Sequence, residues 1–182
     1  MKRKTAKELL AESFRELAAG KSIDKITIRE ITDNCGYSPA TFYRNFKDKY
    51  DLIAWEYARG TERIMARTGC RDYPWKQTLL DGALRFQSER DYLANLFLHT
   101  AGQESFVRYM AEINCRALEK HILSANSLDR LDPADALTVR IYCLGTVHLT
   151  CEWLLGKYRL SPEEIAALYE ASLPAPLRRY LL

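Results

Sequence analysis

Residues 27–53 read TIREITDNCGYSPATFYRNFKDKYDLI, and this stretch is the most informative about the fold of the N-terminal region. Thr27 is followed three residues later by Glu30, which is the pattern of a capping box that opens a helix. Gly36 allows the tight turn after this helix, because glycine reaches backbone conformations that other residues avoid. Ser38, with a proline directly after it, supplies the cap and the first residue of another helix. The stretch therefore predicts a helix, a turn and a second helix.

The second of these helices combines an apolar stripe with polar faces. Phe42 and Phe46 lie one helical turn apart, and this spacing predicts that they anchor the helix. The remaining faces carry hydrogen-bonding side chains, namely Ser38, Thr41, Tyr43, Arg44 and Asn45. A short helix that turns its N-terminal half outward can enter the major groove of DNA, which is about 12 Å wide. The pattern alone leaves a second interpretation open, a helical hairpin with a solvated face.

The positive charge of the chain is concentrated around this motif. Residues 1–50 hold 11 Lys and Arg against 7 Asp and Glu, a net charge of +4, whereas residues 51–182 hold 16 against 17. A basic N-terminal unit on a neutral body indicates a polyanionic partner. We therefore expect two domains, a helix-turn-helix DNA-binding domain at 1–50 and an all-helical regulatory and dimerisation domain at 51–182.

The rest of the chain shows helical periodicity without the alternation typical of strands. We expect an amphipathic helix at 6–18 and a longer one that is capped by Asp48 and runs from Lys49 to about Arg67. Further helices are expected at 75–89, 91–99, 103–125, 133–156 and 161–172, with Pro174 and Pro176 ending the last one. The predicted fold class is all-α, with nine or ten helices.

Several functional classes are disfavoured by the composition and by missing motifs. The longest stretch without an acidic or basic residue runs from Tyr92 to Gln103, shorter than the ~20 apolar residues of a membrane helix. The N-terminus has no apolar signal-peptide core, so we expect a cytoplasmic protein. The five cysteines form no CxxC pair and are expected to be free thiols. No P-loop, GxSxG, HExxH or Gly-rich dinucleotide turn is present, so we expect no cofactor, no metal site and no enzyme, although an unrecognised Cys/His dyad stays open.

The segment 27–53 resembles the DNA-binding region of the TetR/AcrR family of bacterial regulators. The family motif, [TS]-[FL]-Y-x-[HYN]-F-x-x-K, is matched from Thr41 to Lys49. The resemblance implies phosphate contacts from Thr27 and Lys49, and a contact of Tyr43 with either the phosphate backbone or a base edge. It also implies that the groove-facing positions are Ser38, Pro39, Ala40, Thr41 and Arg44, while Asn45 replaces a more common His or Tyr and can still donate to a phosphate.

The same resemblance implies a homodimer that binds a near-palindromic operator, acts as a repressor and responds to a small-molecule effector. The residues themselves favour a dimer, because the helix expected at 133–156 is apolar almost all round. A central core helix of a monomer is the alternative. Three stretches of the body, 72–75, 100–106 and 172–177, resemble the branch of the family typified by the dihydroxyacetone kinase operon regulators.

An effector site in the body is predicted at polar residues that stand among apolar ones. These are His99, Gln103, Tyr142, His148 and Glu152. His148 and Glu152 are four residues apart and share one face of the expected helix. A satisfied interface histidine is the simpler interpretation of His148. Two other functions stay open, a regulator whose body binds a partner protein instead of a ligand, and a small helical enzyme.

Overall fold

A computed structural model describes residues 4–70, 72–101 and 105–182 of the chain. Within these ranges the protein is all-helical, with one short 3-10 turn at Ile23–Lys25 and no strand. Its ten α-helices are α1 (Ala6–Ala18), α2 (Ile28–Asn34), α3 (Pro39–Asn45), α4 (Lys49–Met65), α5 (Trp75–Ser88), α6 (Arg90–His99), α7 (Phe106–Ala125), α8 (Pro133–Leu154), α9 (Pro162–Ala171) and α10 (Ala175–Leu181). No helix in the described ranges has the length and apolar character that crossing a bilayer requires.

The helix starts follow the local signals of the sequence. Thr27 caps α2 and forms the predicted capping box with Glu30. Ser38 caps α3 through the backbone N–H of Thr41, and Asp48 caps α4. The turn between α2 and α3 places Gly36 at a φ of +72°, a conformation that favours glycine. The predicted helix, turn and helix are therefore confirmed.

The C-terminal end differs from the prediction that Pro174 and Pro176 close the last helix. The two prolines follow the end of α9, but a tenth helix, α10, then continues to the end of the chain. Pro176 lies in the first turn of α10, where a missing N–H removes no helical hydrogen bond. Leu177 is fully buried, so packing against the body stabilises a helix that the local sequence does not indicate. The predicted start of the seventh helix at 103 lies outside the described residues.

One apolar core runs through both the N-terminal helices and the body. It includes Phe14 of α1, Ile31 of α2, Phe42 of α3, Leu52 of α4 and Leu96 of α6, which are all almost completely buried. The helix α4 contacts α1 of the N-terminal unit and both α5 and α7 of the body. The helix α3 packs against α1 and α2, so its position depends on residues outside its own short sequence.

Candidate nucleic-acid interface

The helix α3 stands on two buried phenylalanines. Phe42 is fully buried and Phe46 is 2% exposed, with their ring centroids 5.8 Å apart. The ring of Phe46 continues this contact to Trp55 of α4 at 5.6 Å. Tyr43, which lies between the two phenylalanines in sequence, is 60% exposed. The apolar stripe predicted from the sequence is therefore confirmed, and it turns the opposite face of α3 outward.

The outward face of α3 carries most of the predicted DNA contacts. Exposed on it are Ser38, Pro39, Ala40, Tyr43 and Arg44, with Thr41 and Asn45 half-buried. The Nη2 of Arg44 donates to the hydroxyl of Thr41 over 2.9 Å. Asn45 donates from Nδ2 to the carbonyl of Thr41 at 2.8 Å, a bond that closes one helical turn. These residues thus lie on one surface, and the guanidinium of Arg44 is hydrogen-bonded to Thr41 in the DNA-free protein.

Thr27 is exposed at the N-terminus of α2, the helix that precedes α3 in the sequence. Its hydroxyl donates to Oε2 of Glu30 at 2.8 Å and accepts from the backbone N–H of Glu30 at 3.2 Å. A hydrogen bond from Lys21 and the backbone N–H of Thr27 lower the pKa of Glu30 to about 2, so this carboxylate stays charged. The hydroxyl of Thr27 is thus used by the cap, and its phosphate contact stays a prediction.

Lys49, for which a phosphate contact is predicted, makes three hydrogen bonds within the chain. Its Nζ donates to the backbone carbonyls of Ile23, Asp24 and Ile26 at 2.8, 2.8 and 2.9 Å. An ammonium group has three hydrogens, so these three bonds use its donors. The first role of Lys49 in the structure is therefore to fasten the connection between α1 and α2 to the start of α4, and the phosphate contact stays a prediction.

A second residue fastens the same connection, and the sequence analysis missed it. Asn95 of α6 donates from Nδ2 to the carbonyls of Ala18 and Lys21, both at 2.9 Å. Its Oδ1 accepts from the backbone N–H of Ile23 at 3.2 Å. These bonds span more than 70 residues of sequence. The signal in the sequence is a single asparagine in an otherwise apolar stretch of α6, and it gives no indication of the partner.

A cluster of charges joins α1 to the body. Arg15 of α1 lies 2.5 Å from a carboxylate oxygen of Glu56 and 3.1 Å from one of Glu89. The hydroxyl of Tyr92 donates to Glu56 at 2.9 Å, and Arg85 lies 3.4 Å from Glu89. Burial raises the pKa of Glu56, while the charge of Arg15 opposes that shift. The cluster includes side chains of α1, α4, α5 and α6, so it connects the DNA-facing unit to the body.

The body contains a cavity of about 120 Å³ lined by residues of α4, α5, α7, α8 and α9. The lining is mainly apolar, and at its polar part the hydroxyl of Tyr57 donates to Asn114 at 2.9 Å. Arg85 borders the cavity, and its guanidinium lies so close to Gly60 that a side chain at position 60 would displace it. The volume is below the roughly 300–1,000 Å³ typical of ligand pockets, so the cavity suits a ligand of about one ring.

The four predicted effector residues that the structure describes do not lie around this cavity as a group. Tyr142 lines it, and its hydroxyl donates to the carbonyl of Tyr169 at 2.8 Å. His99 is exposed at the end of α6, 3.7 Å from Asp24, and His148 is exposed on α8. Glu152 pairs with Lys157 at 2.5 Å, and this hydrogen bond lowers the pKa of Glu152. Gln103 lies outside the described residues. Tyr142 thus turns into the body while His99 and His148 turn to solvent, so the structure does not bring these three together, and the effector site stays a prediction.

Comparison with known families matches residues 5–54 to the family described as bacterial regulatory proteins, tetR family. These fifty residues are thus similar to the N-terminal domain of TetR-family proteins. An HTH-type transcriptional regulator of Haemophilus influenzae is 37% identical over 51 residues, which is 28% of this chain and 25% of that relative. The TetR-type match thus covers the helices α1 to α3 and the start of α4, including the whole motif from Thr41 to Lys49.

Solved structures share the complete TetR-type architecture. The dihydroxyacetone kinase operon activator DhaS superposes with a TM-score of 0.65 at 16% identity, over 97% of this chain and 98% of that one. A TetR regulator from Rhodococcus sp. RHA1 gives 0.61 at 16% identity, over 91% and 94%. The repressor FadR of Thermus thermophilus, solved with lauroyl-CoA, gives 0.63 at 14% identity, over 92% of each chain. At such identities these likenesses establish the fold of the TetR-type body and nothing more.

Proposed function

We propose that this protein is a transcriptional regulator that binds double-stranded DNA as a homodimer, with residues 1–50 as its DNA-binding domain and residues 51–182 as its regulatory and dimerisation domain. The observation that carries the proposal is α3, a short helix whose Phe42 and Phe46 are buried while its opposite face is exposed. A helix held in this way can enter the major groove while its two phenylalanines stay buried in the core. The TetR-type match over residues 5–54 supports the same function.

The residues of α3 divide into base-reading and positioning groups. Arg44 is exposed, always charged and held by Thr41, and an arginine fork suits the two acceptors of a guanine edge. Ala40 is small and exposed, so it can contact a thymine methyl group. Tyr43 extends into solvent beside them and is placed to donate to a phosphate. Phosphate contacts set the position of the helix, and the base contacts of Arg44 and Ala40 set the sequence it selects.

The dimer is proposed to form through α8, with α9 beside it. One face of α8 packs into the body, but its other face exposes Leu137 and Ile141, which are 63% and 70% exposed, and Leu144. Leu168 of α9 is exposed as well. Apolar side chains grouped on one exposed surface are typical of an interaction site. A second copy of the chain covers this surface by two-fold symmetry, which presents two α3 helices to a near-palindromic operator.

Control by a small molecule is proposed to start in the cavity of the body. A ligand that binds one arrangement of the helices better than another shifts the population between DNA-competent and DNA-incompetent dimers. The path to α1 is short, because Arg85 borders the cavity and also pairs with Glu89, which contacts Arg15. A tenfold change in operator affinity needs only about 1.4 kcal/mol of coupling. Repression is proposed as the mode of action, since a dimer bound at a promoter blocks the access of RNA polymerase to that DNA.

The DNA-binding proposal is tested by selecting duplexes from a random-sequence pool with the purified protein. We expect an enriched near-palindrome whose half-sites lie about one helical turn apart. Arg44→Ala should lose about 1–3 kcal/mol of discrimination at one base pair of each half-site. Tyr43→Ala should weaken binding to all sequences alike. Arg159→Ala, an exposed arginine far along the chain, is the control. An absence of any enriched motif, together with no complex at low salt, contradicts the proposal.

Dimerisation is tested with Ile141→Glu, which places a charge at the centre of the exposed surface of α8. We expect a monomer by analytical ultracentrifugation, with unchanged helical content by circular dichroism, and a loss of operator binding. Glu163→Gln, an exposed change on α9, should leave the dimer intact. A wild-type chain that sediments as a monomer contradicts this part of the proposal.

The cavity is tested with phenol, a single ring with one hydroxyl group. An apolar protein cavity of about 150 Å³ is known to hold benzene, so a ring of this size fits the scale of the cavity. We expect phenol to raise the melting temperature of the wild-type chain. Gly82 lines the cavity, and a Cβ built on it meets no atom within 4 Å, so Gly82→Met should fill the space and remove the effect. A shift that is equal in both proteins contradicts binding in the cavity and favours control by a partner protein.

A further inference from the structure

The cavity of the body has one charged side chain in the part of its wall that the structure describes, Arg85 of α5. The other residues of this wall are apolar or neutral, and they come from α4, α5, α7, α8 and α9. A charge beside apolar surface is costly unless it is paired and hydrogen-bonded, because such surroundings do not solvate it. A charged residue in this position therefore indicates a partner inside the protein, a partner that arrives with a ligand, or both.

The internal partner of Arg85 uses only part of its guanidinium group. The Nε atom lies 3.4 Å from a carboxylate oxygen of Glu89, and within the described residues the guanidinium makes no hydrogen bond. An arginine offers five N–H donors in a planar fork. The Cζ atom lies 5.5 Å from the centre of the Tyr57 ring, which lines the cavity. The guanidinium thus lies at the cavity wall with most of its donors available to a ligand.

We propose that the cavity binds a small aromatic carboxylate, with the ring against the apolar wall and the carboxylate paired with Arg85; this inference rests on the proposed control by a ligand in the cavity. A carboxylate matches the guanidinium fork, because it accepts two parallel hydrogen bonds from it. The volume of about 120 Å³ limits the ligand to about one ring, since an apolar cavity of about 150 Å³ holds benzene. A neutral molecule of the same size gives Arg85 no new partner, so the cavity selects the anion.

A ligand carboxylate changes the balance of charge next to α1. Arg15 and Arg85 carry two positive charges beside the carboxylates of Glu56 and Glu89. The carboxylate of the ligand adds a negative charge and competes with Glu89 for the guanidinium of Arg85. Glu89 also lies 3.1 Å from Arg15, so a weaker pair with Arg85 alters the contact that holds α1. We therefore expect the ligand to change operator affinity through this cluster.

The experiment measures, by titration calorimetry, the binding of three probes to the purified full-length chain. These are benzoate, its neutral and similarly shaped analogue benzamide, and acetate, a carboxylate without a ring. Because a hydrogen-bonded charge pair is worth about 1.5–3 kcal/mol, we expect benzoate to bind roughly tenfold or more tightly than benzamide. Acetate should bind more weakly than benzoate by a similar factor, since it leaves the apolar wall uncovered.

The position of the ring needs its own test, because Arg85 also borders a surface cleft of about 430 Å³. Gly82→Met should fill the cavity and abolish the binding of benzoate, as it should that of phenol. Benzoate that binds Gly82→Met as it binds the wild type occupies the cleft, and this result overturns the proposal.

Substitutions at and beside Arg85 locate the carboxylate. Arg85→Gln removes the charge and should abolish the preference for benzoate over benzamide. Lys76→Gln removes a cation of the same helix that does not line the cavity, so it is the matched control and should keep the preference. Gly60→Ala keeps Arg85 but places a Cβ where its guanidinium lies, so it should reduce the preference as well. Alanine favours a helix over glycine, so Gly60→Ala decides the question if Arg85→Gln does not fold.

The outcomes separate this inference from the proposed function. Equal binding of benzoate and benzamide to the wild type overturns the pairing of a carboxylate with Arg85, and so does an unchanged preference in the folded variants. If phenol still raises the melting temperature in that case, the cavity stays a ligand site and only the class of ligand is wrong. A chain that binds neither phenol nor benzoate contradicts both this inference and the proposed control by a small molecule.

Discussion

Replacement of Asn95 by alanine tests how the DNA-facing helices are held to the body. The change removes three hydrogen bonds to the backbone, two to the carbonyls of Ala18 and Lys21 and one from the N–H of Ile23. At about 1 kcal/mol net for each bond, we expect the free energy of unfolding to fall by about 2–3 kcal/mol. For a chain of this length that corresponds to a melting temperature lower by roughly 4–12 °C.

The assay is urea unfolding followed by circular dichroism, with operator affinity measured on the same samples. Asn95→Asp keeps the acceptor for Ile23 but turns a carboxylate oxygen toward two carbonyl oxygens, so it should be at least as destabilising as alanine. Asn126→Ala is the matched control, because Asn126 makes one local bond to Ile122 and is exposed. If Asn95→Ala and Asn126→Ala lower stability equally, the three bonds do not hold the connection and the reasoning is refuted.

Two further predictions concern the ends of α2 and α4. Lys49→Met should lower the free energy of unfolding by about 2–4 kcal/mol, because three charge-assisted bonds to carbonyls are lost and only in part replaced by water. The predicted phosphate contact of Lys49 should also lower the salt slope of operator binding by about one or less, and an unchanged slope contradicts that contact. The pKa of Glu30 falls from 4.5 to about 2 on folding, so its stabilising effect is present above pH 4.5 and is lost as the pH falls toward 2. Glu30→Gln should flatten this part of the curve of stability against pH, and an acid unfolding curve identical to the wild type contradicts the assignment.

The sequence predicts those parts of the interface that depend on neighbours along the chain. The capping box of Thr27, the turn at Gly36 and the apolar stripe of Phe42 and Phe46 each involve residues within four positions of one another. Such spacings fix local backbone geometry before any tertiary contact exists. For the same reason α10 was missed, since its stability comes from the burial of Leu177 against distant helices and not from its own sequence.

The amino-acid sequence by itself determined that the chain is helical, where α2 and α3 begin, and which face of α3 turns outward. Only the tertiary structure decided what Lys49 and Asn95 hold, and that Tyr142 points into the body while His99 and His148 point to solvent. The physical reason is the range of the interactions. Caps, turns and stripes follow from spacings of three or four residues, whereas a contact such as that of Asn95 with Ile23, 72 residues apart, exists only after the helices have packed.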